Sequence, residues 1–204
     1  MGQCIVISER PVTPKGINPE AKPDNKKILD YVFKDDFKKL DLLNPINHEL
    51  PQEPALLYPG CGADAIFPLE YVHRLFNPKQ IRCIFIDKEY VFQQIATILD
   101  DIGISFAQKG QTLQFYWKNM LVHLDVRHDD IFKLIPSLHF DIYFERAFRI
   151  MKSEYNNYES YVFQQLNNNG FIISDSGFQN VPLQKLKVAQ ALSSYKEMII
   201  GKKE

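Results

Sequence analysis

The sequence predicts an α/β domain of three layers, in which a mostly parallel sheet carries helices on both faces. From Pro54 onward, short apolar runs alternate with segments of helical spacing. The first apolar run leads into the Gly-x-Gly turn Gly60-Cys61-Gly62. Strands that alternate with helices form right-handed crossovers, which bring the strand-end loops to one edge of the sheet. We therefore expect ligand-binding residues at the carboxyl ends of the strands.

Length and charge suit one ordinary globular domain. The chain has 204 residues, 45% of them hydrophobic, and its 24 basic residues nearly balance its 25 acidic residues. This balance gives no general attraction to nucleic acid or to an acidic membrane. No apolar run reaches the roughly 18 residues that a membrane span requires. We expect neither a membrane partner nor a strong nucleic-acid partner.

The three cysteines, Cys4, Cys61 and Cys83, match neither a disulfide framework nor a zinc site in their spacing. We interpret them as reduced thiols, which favours a cytoplasmic location, and we expect no metal. The N-terminus also lacks the basic-then-apolar order of a secretory signal.

Residues 1–53 are predicted to cover the main domain, which spans residues 54–204. Residues 4–7 suggest a strand, and a Pro-rich connection follows it. From Asp24, a plausible N-cap, apolar side chains at three- and four-residue steps predict one amphipathic helix that ends near Asn44.

The main domain is predicted to contain five core strands. We expect strands at residues 55–57, 81–87, 121–126, 140–144 and 171–175, with another at 113–117 and helices at 65–76, 91–103 and 158–169. Pro182 suggests the start of a further helix, and Tyr195–Ile200 a last strand. Only 27 residues follow Gly177, so we expect the sheet to be shortened at its C-terminal edge, with one strand missing.

Chemical groups that suit a nucleoside follow these strands. Gly60 and Gly62 lack side chains that would block a ligand. Asp87, after the second core strand, can accept hydrogen bonds from ribose hydroxyls. Asp130, after the third, can accept one from an exocyclic adenine amine while Ile131 covers the ring. Together these residues describe an adenosine site.

From Pro54 to Gly177 the chain resembles the class I S-adenosylmethionine-dependent methyltransferases. The resemblance rests on five stretches in the family's order, namely residues 59–62, Asp87, 130–131, 140–143 and 168–173. It implies a Rossmann-like fold, S-adenosylmethionine as the cofactor, and methyl transfer as the reaction.

The resemblance also implies roles for individual residues. Gly60 and Gly62 would face the methionine part of the cofactor, and Glu145 would lie near the sulfonium and the acceptor. Glu145 and His128 are the candidate catalytic bases, although only an acceptor that starts protonated needs one. The full set expected to bind the cofactor is Tyr58, Gly60, Cys61, Gly62, Asp64, Asp87, Lys88, Asp130, Ile131 and Glu145.

Two positions depart from the family pattern. Tyr58 stands where the family usually has an acid, and Asp64 where it often has a third glycine. Asp64 could supply the missing charge, or it could simply cap the following helix through the N–H of Ile66 or Phe67. A helix N-terminus would stabilise a Cys61 thiolate, but the resemblance assigns a role to the backbone at this position only.

Three functions stay open at this point. The first is methyl transfer to an unidentified acceptor, with a small molecule favoured over protein or RNA. The second is a non-catalytic binding or assembly protein that keeps the methyltransferase fold. The third is an NAD(P)-binding oxidoreductase, because Gly60-x-Gly62-x-x-Ala65 followed by Asp87 also fits a dinucleotide fingerprint. The oligomeric state is not indicated.

Overall fold

A computed structural model describes residues 7–179 and 181–204 of the chain. The strand predicted at residues 4–7 falls largely on residues 1–6, which lie outside this range. No helix of the described ranges is both long and apolar enough to cross a bilayer.

The described chain forms a nine-stranded sheet in the order β3-β4-β5-β2-β1-β6-β7-β9-β8. The strands are β1 (Ala55–Pro59), β2 (Gln80–Asp87), β3 (Phe106–Lys109), β4 (Thr112–Trp117), β5 (Met120–His128), β6 (Phe140–Glu145), β7 (Leu166–Ser174), β8 (Leu183–Lys185) and β9 (Ile199–Lys203). Only β4 and β9 run against the direction of the other described strands. The predicted mostly parallel sheet is confirmed.

Helices lie on both faces of the sheet. They are α1 (Asn25–Ile28), α2 (Lys34–Lys39), α3 (Ile66–Leu75), α4 (Phe92–Asp101), α5 (Ile131–Leu134), α6 (Arg149–Ser153) and α7 (Tyr158–Gln165). Alternation along β1 produces the layers, since Leu56 and Tyr58 join the cluster that contains α3 and α4. Ala55 and Leu57 join the cluster that contains α5 and α7. The predicted three-layer arrangement is therefore confirmed.

The order of the central strands fixes where a ligand can lie. β1 pairs with β2 on one side and with β6 on the other, and β5 lies beyond β2. The chain thus moves outward from β1 in one direction and then returns to the other side of it. In open α/β sheets the binding crevice lies at this reversal, outside the carboxyl ends of the strands.

The single helix predicted from Asp24 is wrong. Asp24 does cap α1 by accepting the N–H groups of Lys26 and Lys27, but α1 ends at Ile28 and α2 begins only after an extended Phe33. Short helices gain stability from packing rather than from propensity. Of the predicted apolar stripe, Val32 and Leu40 are buried, whereas Phe33 is 41% exposed, so only part of that stripe is used.

The helix predicted after Pro182 is also wrong. Leu183–Lys185 forms β8, which pairs antiparallel with β9, and the connection between them contains only a 3-10 turn at Gln190–Leu192. Leu183 packs on Gly201, where an added β-carbon would lie 2.9 Å from its Cδ1. The last strand also lies later than predicted. The strand expected to be missing from this edge is therefore present as β8, and the predicted helix is absent from the described residues.

A buried carboxylate joins α3 to the β4–β5 hairpin. Glu70 is 1% exposed and accepts hydrogen bonds from Trp117 Nε1 (3.1 Å) and Arg74 Nε (3.0 Å), and Lys118 Nζ lies 2.7 Å from it. Burial by itself raises the pKa of Glu70, but the bonds and charges of Lys118 and Arg74 outweigh it and lower that pKa. The folded protein therefore favours the ionised form.

Replacing Glu70 by Gln should destabilise the fold by about 2 kcal/mol near pH 7, because the buried carboxylate loses its ion pairs. This loss of stability is smaller than for a fully buried ion pair, since Arg74 and Lys118 remain partly exposed. A lowered pKa stabilises the fold above the ordinary value of 4.5, and this contribution is lost as pH falls through the folded pKa. The difference from wild type should therefore shrink in acid.

Urea unfolding of both proteins from pH 7 down to about pH 3 checks this expectation. Asp41→Asn is the control, because Asp41 pairs with the same Arg74 but its side chain is 77% exposed. It should change stability by less than about 0.5 kcal/mol. A Glu70→Gln effect that stays constant with pH would contradict the assignment.

Candidate functional site

The glycine loop after β1 depends on conformations that suit glycine. Gly60 and Gly62 have φ of +57° and +52°, in the left-handed region that L side chains rarely adopt. The N–H of Gly60 donates to the carbonyl of Ile86 (2.8 Å), which holds the loop against the end of β2. The loop predicted from the Gly-x-Gly pattern is therefore formed.

Asp87, the last residue of β2, orients this loop directly. Its Oδ2 accepts the N–H of Gly62 at 2.7 Å, and its Oδ1 accepts the N–H of Glu89 at 2.9 Å. An ionised carboxylate has about four lone-pair positions, so these two bonds leave further capacity on the same group. Asp87 ends β2 at the carboxyl edge of the sheet, its role toward ribose stays a prediction, and it has a structural role that was not predicted.

Asp130 lies beside Asp87 at the same edge of the sheet. The N–H of Asp129 donates to the carbonyl of Asp87 at 2.9 Å, and this bond joins the ends of β2 and β5. Asp130 caps α5, with Oδ1 accepting the N–H of Phe132 at 3.0 Å. Its Oδ2 lies 3.4 Å from Lys88 Nζ. The structure thus brings the two predicted acids and Lys88 into one corner, with the buried Ile131 next to them.

His128 lies at the outer rim of this corner. It is exposed, its Nε2 lies 2.8 Å from the carbonyl oxygen of Lys88, and its ring packs on Tyr90 at 3.6 Å between centroids. The ring is held by these neighbours near the ribose end of the predicted site. No contact of His128 joins it to Glu145, the other predicted base.

Tyr58 and Asp64 lie on the face of the sheet that α3 covers. Tyr58 is buried and its hydroxyl donates to Asp64 at 3.2 Å. Asp64 accepts the N–H of Phe67 at 3.0 Å, which confirms the helix-cap interpretation. Burial raises the pKa of Asp64, while Arg146, 3.8 Å away, opposes that shift. Arg146 stacks on the ring of Phe67 and so belongs to the same group.

Cys61 is buried, with 2% exposure, between the two glycines. Burial raises the pKa of its thiol well above the ordinary range, and the charges of Asp87 and Asp64 act in the same direction. Burial therefore favours the neutral thiol of Cys61 over the thiolate that a helix N-terminus would stabilise. Because the side chain of Cys61 is buried, only its backbone could contact a ligand at the glycine loop.

Glu145 is sealed inside a polar network on the opposite side of β1 from Asp87. It is 1% exposed, and its Oε2 accepts the hydroxyl of Tyr143 at 2.8 Å. Its Oε1 accepts hydrogen bonds from Lys152 Nζ (2.6 Å), Ser176 Oγ (2.8 Å) and Ser174 Oγ. Both oxygens are thus engaged within the protein, so this arrangement does not present Glu145 to a reactant.

Phe148 lies directly over Gly60, a contact that no sequence pattern indicated. A β-carbon built on Gly60 would lie 2.7 Å from Phe148 Cδ2 and 3.3 Å from Met151 Cε. Phe148 is 1% exposed and also packs against Phe132 and Tyr158. The space over the first glycine is therefore filled by side chains from the start of α6. No periodic pattern marks this segment, which explains why sequence reasoning missed it.

Methyltransferases are among the solved structures to which this chain is similar. Similar solved structures include a methyltransferase from Geobacter sulfurreducens (12% identity, 74% of this chain and 72% of that one, TM-score 0.42). A second methyltransferase from the same organism, in complex with S-adenosylhomocysteine, has 10% identity over 70% of this chain and 47% of its own (TM-score 0.42). The cyclopropane synthase MmaA2 from Mycobacterium tuberculosis has 12% identity over 67% and 41% (TM-score 0.41).

Identities this low concern the fold alone, and the chain spans about half or less of the length of the last two structures. No protein-family model and no curated protein matches the sequence. The fold itself is given by the chain's own strand order, β5-β2-β1-β6-β7, closed by the antiparallel β9. The Rossmann-like fold implied by the methyltransferase resemblance is confirmed.

The contact of Phe148 with Gly60 predicts a difference between two similar substitutions. Gly62→Ala should destabilise the protein by about 1 kcal/mol, from backbone strain only, because no atom of the described residues lies within 4 Å of its added β-carbon. Gly60→Ala carries the same strain and also meets Phe148, so it should cost about 1–3 kcal/mol more.

Chemical denaturation of the two variants measures this difference directly. In a Phe148→Ala background the excess for Gly60→Ala should disappear, since the two sites then no longer interact. Equal costs for the two glycines in the wild-type background would show that Phe148 does not lie on Gly60 in solution.

Proposed function

We propose that the protein binds S-adenosylmethionine and transfers its methyl group to a small acceptor. One observation carries the proposal, namely the convergence of the Gly60–Gly62 loop, Asp87 and Asp130 at the reversal of strand order. These groups meet through the Gly62–Asp87 and Asp129–Asp87 hydrogen bonds. Carboxylates on two neighbouring strand ends, beside the glycine loop, match the donors of a nucleoside.

The adenosine part of the cofactor fits the residues present. Asp87 keeps lone pairs for ribose hydroxyls, and Asp130 Oδ2, which lies 3.4 Å from Lys88 Nζ, keeps a lone pair for the amine of the base. Ile131 offers an apolar wall. The cofactor would supply an electrophilic methyl group, so this chain needs to align the reactants and exclude water.

The methionine part does not fit while Phe148 and Met151 lie over Gly60. For this reason we assign no proton-transfer step to Glu145, whose oxygens are engaged in the buried network. Tyr58 does not supply the missing acid either, and the charge of Asp64 already faces Arg146. The closed arrangement therefore supports binding of the nucleoside half more strongly than it supports chemistry.

A cavity beside α6 supports a small acceptor. It has a volume of about 400 Å³ and lies near the carboxyl end of β7. This size suits a small molecule. Its walls are mostly polar and include Arg149, Lys152, Asn157, Ser176 and Glu197.

A non-catalytic protein with the same fold is the second candidate. The specific observation in its favour is the filled space over Gly60, together with the sealed Glu145. Such a protein would use the fold for binding or assembly and would give no heat with S-adenosylmethionine up to millimolar concentration in calorimetry. Nothing in the described residues specifically favours the NAD(P) alternative.

Isothermal calorimetry with S-adenosylhomocysteine and with NAD tests the proposal. We expect the first to bind and the second not to bind. Asp130→Asn should weaken S-adenosylhomocysteine binding about tenfold, the equivalent of about 1.4 kcal/mol for one lost hydrogen bond. Asparagine keeps its oxygen on the Phe132 N–H, since it is a good N-cap, and then presents a donor to the adenine amine.

Asp129→Asn is the matched control for this experiment. Asp129 is exposed and its carboxylate accepts only the N–H of Asp130 at 2.7 Å. Its replacement should leave the affinity within about twofold, and thermal unfolding should show both variants folded. Equal weakening by both substitutions, or tighter binding of NAD, would count against the proposed site.

A further inference from the structure

The segment of residues 148–156, here called the plug, covers the glycine loop but has few buried side chains. Two of its side chains are buried, Phe148 over Gly60 and Lys152 beside Glu145. A third, Tyr155, is 39% exposed and stacks on Phe132 at 4.8 Å between centroids. Arg149 Nη1 lies 3.4 Å from Glu197 Oε1, and Met151 reaches Gly60 with its Cε. The remaining side chains of the plug, including Ile150 at 71% exposure, face solvent. Segments with few buried contacts open more easily than the body of a fold.

Lys152 fixes the plug to the sheet through one compact group of partners. Its Nζ donates to Glu145 Oε1 (2.6 Å) and to the carbonyl of Gly177, and Glu159 Oε1 lies 3.1 Å away. These partners belong to β6, α7 and the loop after β7, so the anchor lies apart from the glycine loop. The plug can therefore lose its contact with Gly60 while Lys152 keeps its partners.

Unusual backbone conformations stand on both sides of the plug. Ala147 has φ of +56° and Asn157 has φ of +65°, both in the left-handed region. Asparagine tolerates this region, but alanine rarely occupies it, so the conformation of Ala147 is strained. The N–H of Ala147 donates to Asp175 Oδ2 at 3.0 Å, which holds the strained residue in place. Such positions can absorb the dihedral changes of a moving segment.

We propose that the plug closes the cofactor site in the free protein and moves off Gly60 when the cofactor binds. This inference rests on the proposed function, because the methionine part of S-adenosylmethionine and the ring of Phe148 require the same surface. Two groups that compete for one surface are reciprocally linked, so removing one increases the affinity for the other. The apparent affinity is therefore the affinity of the open form multiplied by the fraction of molecules in which the plug is open.

Calorimetry with S-adenosylhomocysteine tests the plug in four proteins, namely wild type, Phe148→Ala, Phe148→Leu and Ile150→Ala. Phe148→Ala should bind at least about tenfold more tightly than wild type, since the competing ring is gone. Phe148→Leu preserves an apolar side chain if the alanine variant folds poorly, and it should show a smaller gain. Ile150→Ala is the matched control on the same helix, and it should bind like wild type.

Hydrogen exchange of the complete wild-type protein gives an independent readout. Saturating S-adenosylhomocysteine should speed exchange of the amides at residues 149–155 and slow it at residues 60–64. A merely structural role for Phe148 predicts no faster exchange at residues 149–155.

The outcomes separate the plug from the proposed function. Binding by wild type and Phe148→Ala with equal affinity, or weaker binding by Phe148→Ala, overturns the plug and leaves cofactor binding intact. Slower hydrogen exchange at residues 149–155 in the presence of ligand likewise overturns the plug and leaves cofactor binding intact. Binding by the Phe148 variants alone supports both ideas. Absence of binding by all four proteins overturns the proposed function and, with it, the gating role of the plug.

Discussion

The hydrogen bond from the Gly62 N–H to the Asp87 carboxylate is the contact on which the functional region depends. It joins the loop after β1 to the end of β2 at 2.7 Å. Left-handed conformations at Gly60 and Gly62 turn the backbone so that this bond can form. The neighbouring bond between Asp129 and Asp87 then adds the end of β5. Three strand ends are thereby held in one place, which is where we propose that a nucleoside binds.

The two sides of this corner differ in how their polar groups are used. On the β2 and β5 side, Asp87, Lys88 and Asp130 are partly or fully exposed and keep hydrogen-bonding capacity. On the β6 and β7 side, Glu145 and Lys152 are buried and satisfy each other. A buried ion pair of this kind contributes to the specificity of an arrangement more readily than to its stability. We infer that the first side is arranged for recognition and the second for holding α6.

Much of the fold could be predicted from the sequence because its signals are local. The apolar runs of β1, β2 and β6 and the Gly60–Gly62 turn identify their own structures, and order along the chain then fixes the parallel core. The structure near the two ends of the chain was harder to predict, because tertiary packing there outweighs the local sequence pattern. Leu183 follows a proline and fits a helix, yet it pairs in a strand that covers Gly201. Phe33 fits the apolar stripe of one long helix, yet it is extended between two short helices.

The acidic residues of the candidate site could be predicted from the sequence, but the side chains that cover the glycine loop could not. Asp87 and Asp130 follow strands, and strand ends meet at one edge whatever the side chains between them. The positions of Phe148 and Glu145 depend on contacts between residues far apart in sequence, such as Phe148 with Gly60 and Glu145 with Ser174. The spacing of residues in the sequence does not reveal such contacts. Glu145 could therefore be placed at a strand end without any indication that its carboxylate is buried in a hydrogen-bond network.

The most direct test of this account is a crystal structure of the protein with S-adenosylhomocysteine. The account predicts adenosine density beside Asp87 and Asp130, methionine density over Gly60, and Phe148 displaced from that glycine. A nucleoside bound elsewhere, or Phe148 still packed on Gly60 beside a bound ligand, would contradict it.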